Sequence, residues 1–298
     1  MCGIIGLLIK KPGMRSQLGE LLVPMLVGMG ERGPDSAGLA VFSDTIDAGA
    51  RRFNLFANDR SYDWQGLAEA VGSEFGVATG VEPIQNHAIL VSSVEPARLN
   101  AWLHARRPDV EVLSVGRYID IYKDVGHPRE VADRYRFAAL NGSHTVGHTR
   151  MATESAVTPQ HSHPFVAGED FCLVHNGSLS NPYSLRRMLE KKGISFRTDN
   201  DTEAACRFIE WRLREGDTLE QALVQCFNEL DGFYTFLMGT HDKLALVRDP
   251  FACKPAIVAE HDDYVAVASE YRSLAHLPDV KNASLFEPMP EEIYSWSV

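Results

Sequence analysis

Met1-Cys2-Gly3-Ile4-Ile5-Gly6 opens the chain, and its reading decides the fold. If an aminopeptidase removes Met1, Cys2 becomes the first residue, with a thiol and a free α-amine on one carbon. An unperturbed α-amine titrates at about 7.7–8.0, so roughly a tenth of it is free base at neutral pH. A thiol of pKa about 8.5 is only a few per cent thiolate there, yet the thiolate is the attacking species. Joined, the two make a nucleophile that carries its own general base, directly or through one water. Gly3 and Gly6 remove side chains beside the sulfur and let a substrate and another backbone approach. The same residues also read as an ordinary apolar first strand with a buried cysteine.

Outward from this stretch, Cys2 to Ile9 is an apolar run closed by Lys10-Lys11-Pro12-Gly13, consistent with a strand buried on both faces. Ser16 is placed to cap a helix that carries Leu18, Leu21, Leu22, Met25, Leu26 and Met29 on one face, with a kink at Pro24. Gly28-Met29-Gly30-Glu31-Arg32-Gly33 matches G-x-G-x-x-G, but it ends a helix and meets Pro34 before a strand at Gly38 to Phe42. A dinucleotide loop leaves a strand and opens a helix, so this match is helix punctuation.

Residues of about 44–140 read as an insertion with βαβ character: a strand from His87 to Val94, a helix from Pro96 to Arg106, a strand from Val110 to Val115. A helix at Arg129 to Arg136 leads back. Strands follow at His144–Thr149 and Phe171–His175, then helices opened by Asn181-Pro182, by Asp201 at an N-cap, and by Asp217 or Thr218. Further strands are expected at Phe233–Met238, Leu244–Val247, Ala256–Ala259 and Tyr264–Ala268, then a short helix or turn from Glu270 to His276 and a strand-like tail. Strands, paired helices and strands again suit an α+β fold in which helices cover two stacked antiparallel sheets.

The formal charge of −11 argues against a general nucleic-acid or anionic-membrane binder. Five scattered cysteines, none spaced C-x-x-C, make neither a disulfide framework nor a zinc site and indicate a reducing, cytoplasmic compartment. No signal peptide is recognisable, and no apolar run approaches the roughly 20 residues a membrane helix needs.

Four polar clusters stand at element ends: Gly147-His148-Thr149-Arg150, His161-Ser162-His163-Pro164, His175-Asn176-Gly177 and Asp199-Asn200-Asp201-Thr202-Glu203. An arginine suits bidentate capture of a carboxylate. An Asn-Gly pair at a strand end can aim an amide and a backbone N–H at one point, an oxyanion hole in outline. An aspartate near a helix start can hold an ammonium. Together they outline a pocket for an α-amino acid whose distal carbonyl faces Cys2. Each also has a plainer reading: Asn176-Gly177 as a tight turn, Asp201 as a helix cap, Arg150 as a structural ion pair. The histidines lack the spacing of a metal site.

These residues resemble the class II glutamine amidotransferases, which are N-terminal-nucleophile hydrolases. Six pieces occur in the family's order: Met1-Cys2-Gly3-Ile4, Arg32 to Gly38, Gly147 to Arg150, His163-Pro164, His175-Asn176-Gly177 and Asp201-Thr202-Glu203. Arg248 to Pro255 and Ala268-Ser269-Glu270 extend the likeness to nearly all of the chain outside the insertion. The resemblance implies a four-layer αββα sandwich over residues 1–298 with a small inserted α/β subdomain. It implies Cys2 as nucleophile, its freed amine as base, and Asn176 and Gly177 as the oxyanion hole. Arg150 is expected to hold the α-carboxylate of L-glutamine, Asp201 and the backbone near Thr153 and Gly177 to hold its α-amine, and His163 to line the pocket.

Met151 and Glu154 depart from the aromatic residue and histidine of the family's sugar-phosphate branch. Met151 to Ser155 and Tyr122 to Gly126 look instead like stand-alone glutaminase subunits of glutamate-synthase-like complexes, such as N-methylglutamate synthase. The expectation is a glutaminase that supplies nitrogen to a flavin-dependent synthase subunit and a glutamate-synthase-like scaffold subunit. No cofactor or metal is expected on this chain, with FMN and iron–sulfur on a partner. The competing readings are a self-contained γ-glutamyl amidase and a non-catalytic amino-acid-binding regulatory subunit.

Overall fold

Alternation along the first strand sets up the layers. In the computed structural model, which describes residues 2–151 and 158–298, β1 (Gly3–Ile9) is buried throughout. Ile5, Leu7 and Ile9 enter a core shared with Leu18, Leu22, Met25 and Leu26 of α1 (Leu18–Gly28). Ile4 and Leu8 enter a second core on the opposite face. Successive side chains of a strand point to opposite faces, so one short run feeds both layers.

The chain continues through β2 (Ser36–Phe42), β3 (Arg51–Ala57), α2 (Trp64–Phe75), β4 (Thr79–Ile84), β5 (His87–Ser92), α3 (Pro96–Arg106), β6 (Val110–Gly116), β7 (Ile119–Val125) and α4 (Pro128–Arg134). Next come β8 (His144–Arg150), β9 (Phe165–Val166), β10 (Cys172–Leu179), α5 (Pro182–Glu190), α6 (Asp201–Arg214) and α7 (Leu219–Glu229). The last strands are β11 (Gly232–Gly239), β12 (Lys243–Arg248), β13 (Ile257–Glu260), β14 (Tyr264–Ala268), β15 (Ser284–Phe286) and β16 (Ile293–Ser297).

One antiparallel sheet runs β15-β13-β14-β1-β8-β2-β7 and a second runs β16-β12-β11-β10-β9. Ile4, Phe42, Ile121 and Val146 of the first meet Val174, Leu237, Leu244 and Leu246 of the second in one apolar layer. Helices α1 and α4 cover the outer face of the first sheet. Leu185, Phe208 and Leu223 of α5, α6 and α7 cover the second, against Leu173, Phe236 and Ala245. The result is the expected four-layer αββα sandwich. No helix among the described residues is long and apolar enough to cross a membrane.

The stretch of about 44–140 divides. Strands β3 to β6 form their own antiparallel sheet, in the order β4-β5-β3-β6. Its core includes Phe53, Trp64, Leu67, Leu90, Leu99 and Leu103. Each of β3-α2-β4 and β5-α3-β6 joins two parallel strands with an antiparallel one between them, the β-α-β-β-α-β ferredoxin-like arrangement. Strand β7, by contrast, is the edge of the seven-stranded sheet, paired with β2 from Ser36↔Val125 to Phe42↔Ile119.

Local corrections are few. Ser16 does not cap α1: Pro12–Gln17 is a 3-10 helix, and Gln17 precedes α1 with no side-chain cap bond. Pro24 lies inside a continuous α1. Asp201 is the first residue of α6, and Asn200 is its cap, accepting from the Thr202 amide. Thr218 caps α7 through a capping box with Gln221. Within Glu270 to His276, only Tyr271–Ser273 is helical, as a 3-10 turn.

Candidate active site

Cys2 stands at the start of β1, where Gly3 pairs with Thr149 of β8. Its carbonyl accepts from Arg32 Nε at 3.0 Å and from Asn176 Nδ2 at 3.3 Å. Its Sγ lies 3.9 Å from the Met151 carbonyl oxygen. The Ile4 amide donates to Ser269 Oγ at 3.0 Å, and the Ser269 amide donates back to the Ile4 carbonyl at 3.0 Å. Arg32 also donates from Nη1 to Glu270 at 2.8 Å. That bond, with the neighbouring Arg272, holds the Glu270 carboxyl below its ordinary range. Cys2 is thus clamped through its backbone while it lines the pocket.

Asn176 and Gly177 are not at a turn or a strand end. Strand β10 continues through them to Leu179, with Asn176 opposite Thr235 and Gly177 opposite Tyr234. Gly177 has φ +151, and a Cβ there would stand 1.8 Å from the Phe233 carbonyl oxygen and 2.7 Å from His175 Nε2. The backbone crosses too tight a gap for any side chain.

The loop before α6 is fixed from two directions. Arg186 donates to the carbonyls of Thr198 and Asn200 at 2.9 and 2.5 Å. The buried Glu203 carboxylate accepts from the amides of Arg197 and Thr198 at 2.9 and 2.7 Å. Asp201 Oδ2 accepts from the Leu179 amide at 2.8 Å, tying helix to strand.

Three imidazoles back the site. His148 stacks on His163 with ring centroids 4.0 Å apart. The Thr202 hydroxyl sits between His163 Nε2 at 2.9 Å and His175 Nδ1 at 3.0 Å. Burial pulls the pKa of His148 down to about 3 and also lowers His163 and His175, so all three are neutral at pH 7.

These elements enclose a pocket of about 450 Å³, within the roughly 300–1,000 Å³ of small-ligand sites. Cys2, Arg150, His163, Gly177 and Asp201 line it together. Asn176 is buried and reaches the Cys2 carbonyl. Thr153 lies outside the described residues. A thiol, a guanidinium and a carboxylate on one such cavity suit a zwitterionic amino acid. Among the described residues no group of three or more His, Cys, Asp or Glu side chains is arranged to hold a metal ion. The sequence reading did not single out Arg32, Glu270 or Thr202. All three stand inside quoted motifs, but their contacts, Arg32 with Glu270 and Thr202 with His163 and His175, join residues far apart in the chain.

Comparison with known proteins places the chain among relatives. Residues 148–276 match the glutamine amidotransferase domain family. The chain is 46% identical over 297 residues to the glutamine amidotransferase-like protein GlxB of Rhizobium meliloti (strain 1021), covering 99% of this chain and 98% of that protein. It is 33% identical over 310 residues to a putative glutamine amidotransferase of Methanothermobacter thermautotrophicus (strain Delta H), covering 99% of each. In fold it is similar to glutamine phosphoribosylpyrophosphate amidotransferase from B. subtilis, with a TM-score of 0.62 and 20% identity, over 99% of this chain and 47% of that one.

Proposed function

Since the chain belongs to the glutamine amidotransferase family, we propose that it is a glutaminase subunit that uses Cys2, freed of Met1, to release ammonia from glutamine. The observation that carries this reading is the convergence of Cys2, Arg150 and Asp201 on one pocket, with the Asn176 amide beside Cys2.

In this account Arg150 holds the α-carboxylate of glutamine, while Asp201 and the backbone near Thr153 and Gly177 hold the α-ammonium. The Cys2 amine takes the thiol proton, and the thiolate attacks the side-chain amide carbon. The tetrahedral oxyanion accepts hydrogen bonds from Asn176 Nδ2 and the Gly177 N–H. The carbon–nitrogen bond then breaks, and ammonia leaves with the proton returned from the Cys2 ammonium. Water, deprotonated by the same amine, hydrolyses the γ-glutamyl thioester to glutamate. His163 forms part of the wall.

The nitrogen passes, in this reading, to a glutamate-synthase-like partner of the N-methylglutamate synthase type, with a flavin-dependent subunit and a scaffold subunit. The support is the likeness of Met151 to Ser155 and Tyr122 to Gly126 to such glutaminase subunits. FMN and iron–sulfur belong to that partner. The test is glutamine turnover by the complex carrying either native Cys2 or Cys2→Ala. Loss of ammonia and glutamate production in the folded variant is expected, and retained turnover contradicts the reading.

A further inference from the structure

Lys123 lies within β7, only 6% exposed. Along that strand Ile121 faces the layer between the sheets, and Tyr122 faces the helix-covered core. Alternation therefore sends Lys123 inward, toward the second sheet. Among the described residues its ammonium forms no ion pair. It donates instead to two backbone carbonyls, Ser162 at 3.0 Å and Pro164 at 3.3 Å. Glu111 and Glu203 act on it only through space, and a buried lysine without a direct carboxylate contact is costly, so a position that only needs filling is served better by leucine or methionine. Burial shows directly on this amine, whose pKa is pulled down to about 8.

The two carbonyls flank His163. The same segment also rests on β2, the neighbouring strand of the sheet, where Gly38 pairs with Lys123 and a Cβ on Gly38 would stand 2.0 Å from the His163 carbonyl oxygen and 2.7 Å from Lys123 Cβ. Bare backbone at Gly38 and the buried ammonium of its cross-strand partner thus hold the segment against the sheet. Its side chain, His163, bonds Thr202 and lines the pocket that holds Cys2.

We propose that Lys123 is a positioning residue for glutamine: by holding the carbonyls on either side of His163, it sets where that imidazole stands in the wall of the pocket beside Cys2. The role rests on the glutaminase reading above.

Lys123→Met keeps an apolar stem of similar length and removes the three donors. The readouts are KM and kcat for glutamine, with two alkylation rates at Cys2. A glutamine-mimicking diazoketone must occupy the pocket, whereas iodoacetamide need only reach the sulfur. KM is expected to rise about tenfold and the diazoketone rate to fall by a similar factor, with kcat and the iodoacetamide rate within about twofold of the native protein. Gly38→Ala displaces the same segment directly, is expected to show the same pattern, and carries the test if Lys123→Met does not fold. An unchanged diazoketone rate in a folded variant overturns the role, as does an equal fall in both alkylation rates. A native, processed chain that takes iodoacetamide but not the diazoketone, even in its complex, overturns the glutaminase reading itself and the inference with it.

Discussion

Arg32 donates from Nε to the carbonyl of Cys2 at 3.0 Å and from Nη1 to Glu270 at 2.8 Å. The helix exit before β2 and the turn after β14 thereby grip Cys2, which lines the pocket. The grip is on the backbone carbonyl, so it leaves the thiol unengaged by Arg32. Replacing Arg32 with Met is expected to lower kcat by roughly a hundredfold, the scale of a 1 Å misplacement of a reacting group. KM should change far less, because Arg32 does not line the pocket. Steady-state kinetics on the folded variant checks both.

Asn176 donates to the Cys2 carbonyl at 3.3 Å, and in the proposed mechanism its amide is the side-chain donor to the developing oxyanion. Removing one such donor typically costs about 10²–10³ in kcat. Asn176→Ala is expected to fall in that range with KM for glutamine nearly unchanged. A rise in KM at constant kcat would assign Asn176 to ground-state binding instead.

Arg150 and Asp201 are the opposite charges of the pocket. Arg150→Met should remove a charge-assisted contact worth about 1.5–3 kcal/mol, roughly 10–100-fold in kcat/KM. The sharper readout is discrimination: native protein should prefer glutamine to its α-carboxamide, and the variant should lose that preference. Asp201→Asn should weaken binding through the ammonium end and disturb the Leu179 amide that its carboxylate holds.

The buried histidines set an acid limit. Burial lowers His87 to about 3, His144 to about 4 and His148 to about 3, against an ordinary value near 6.5. Between those values the unfolded chain binds more protons than the folded one, so stability is full above about pH 6.5 and falls as pH drops through that window. Each histidine contributes a slope of about 1.4 kcal/mol per pH unit there. Urea denaturation at pH 7 and pH 5 should show a marked loss at pH 5, and equal midpoints would contradict neutral burial.

Much of the sandwich was legible because hydrophobic alternation reports burial directly, as in β1 and in Tyr264–Ala268, which pairs with it. The escape of β7 from that signal has a physical cause. Its sequence, Ile119-Asp120-Ile121-Tyr122-Lys123-Asp124-Val125, looks half solvated, yet all seven residues are at least largely buried. Arg52 pairs with Asp120 at 2.6 Å, backbone carbonyls take Lys123, and Arg134 and Tyr135 hold Asp124 at 2.6 Å each. Such partners come from distant segments, and periodicity cannot register them. The same limit applies to the site. Cys2, Arg150, Asn176, Gly177 and Asp201 were picked out by residue type and order, whereas the Arg32–Glu270 clamp joins positions 238 residues apart. Asn176-Gly177 is a common turn dipeptide, and only the pairing with β11 reveals it as strand.

The central claim is that Cys2, once first in the chain, is a nucleophile at the end of a glutamine pocket. Intact mass before and after exposure to a glutamine-mimicking diazoketone tests it most directly. The account predicts a starting mass without Met1, then a single covalent adduct that maps to Cys2 and is suppressed by excess glutamine. A chain that keeps Met1 and takes no adduct, alone or in its complex, would contradict it.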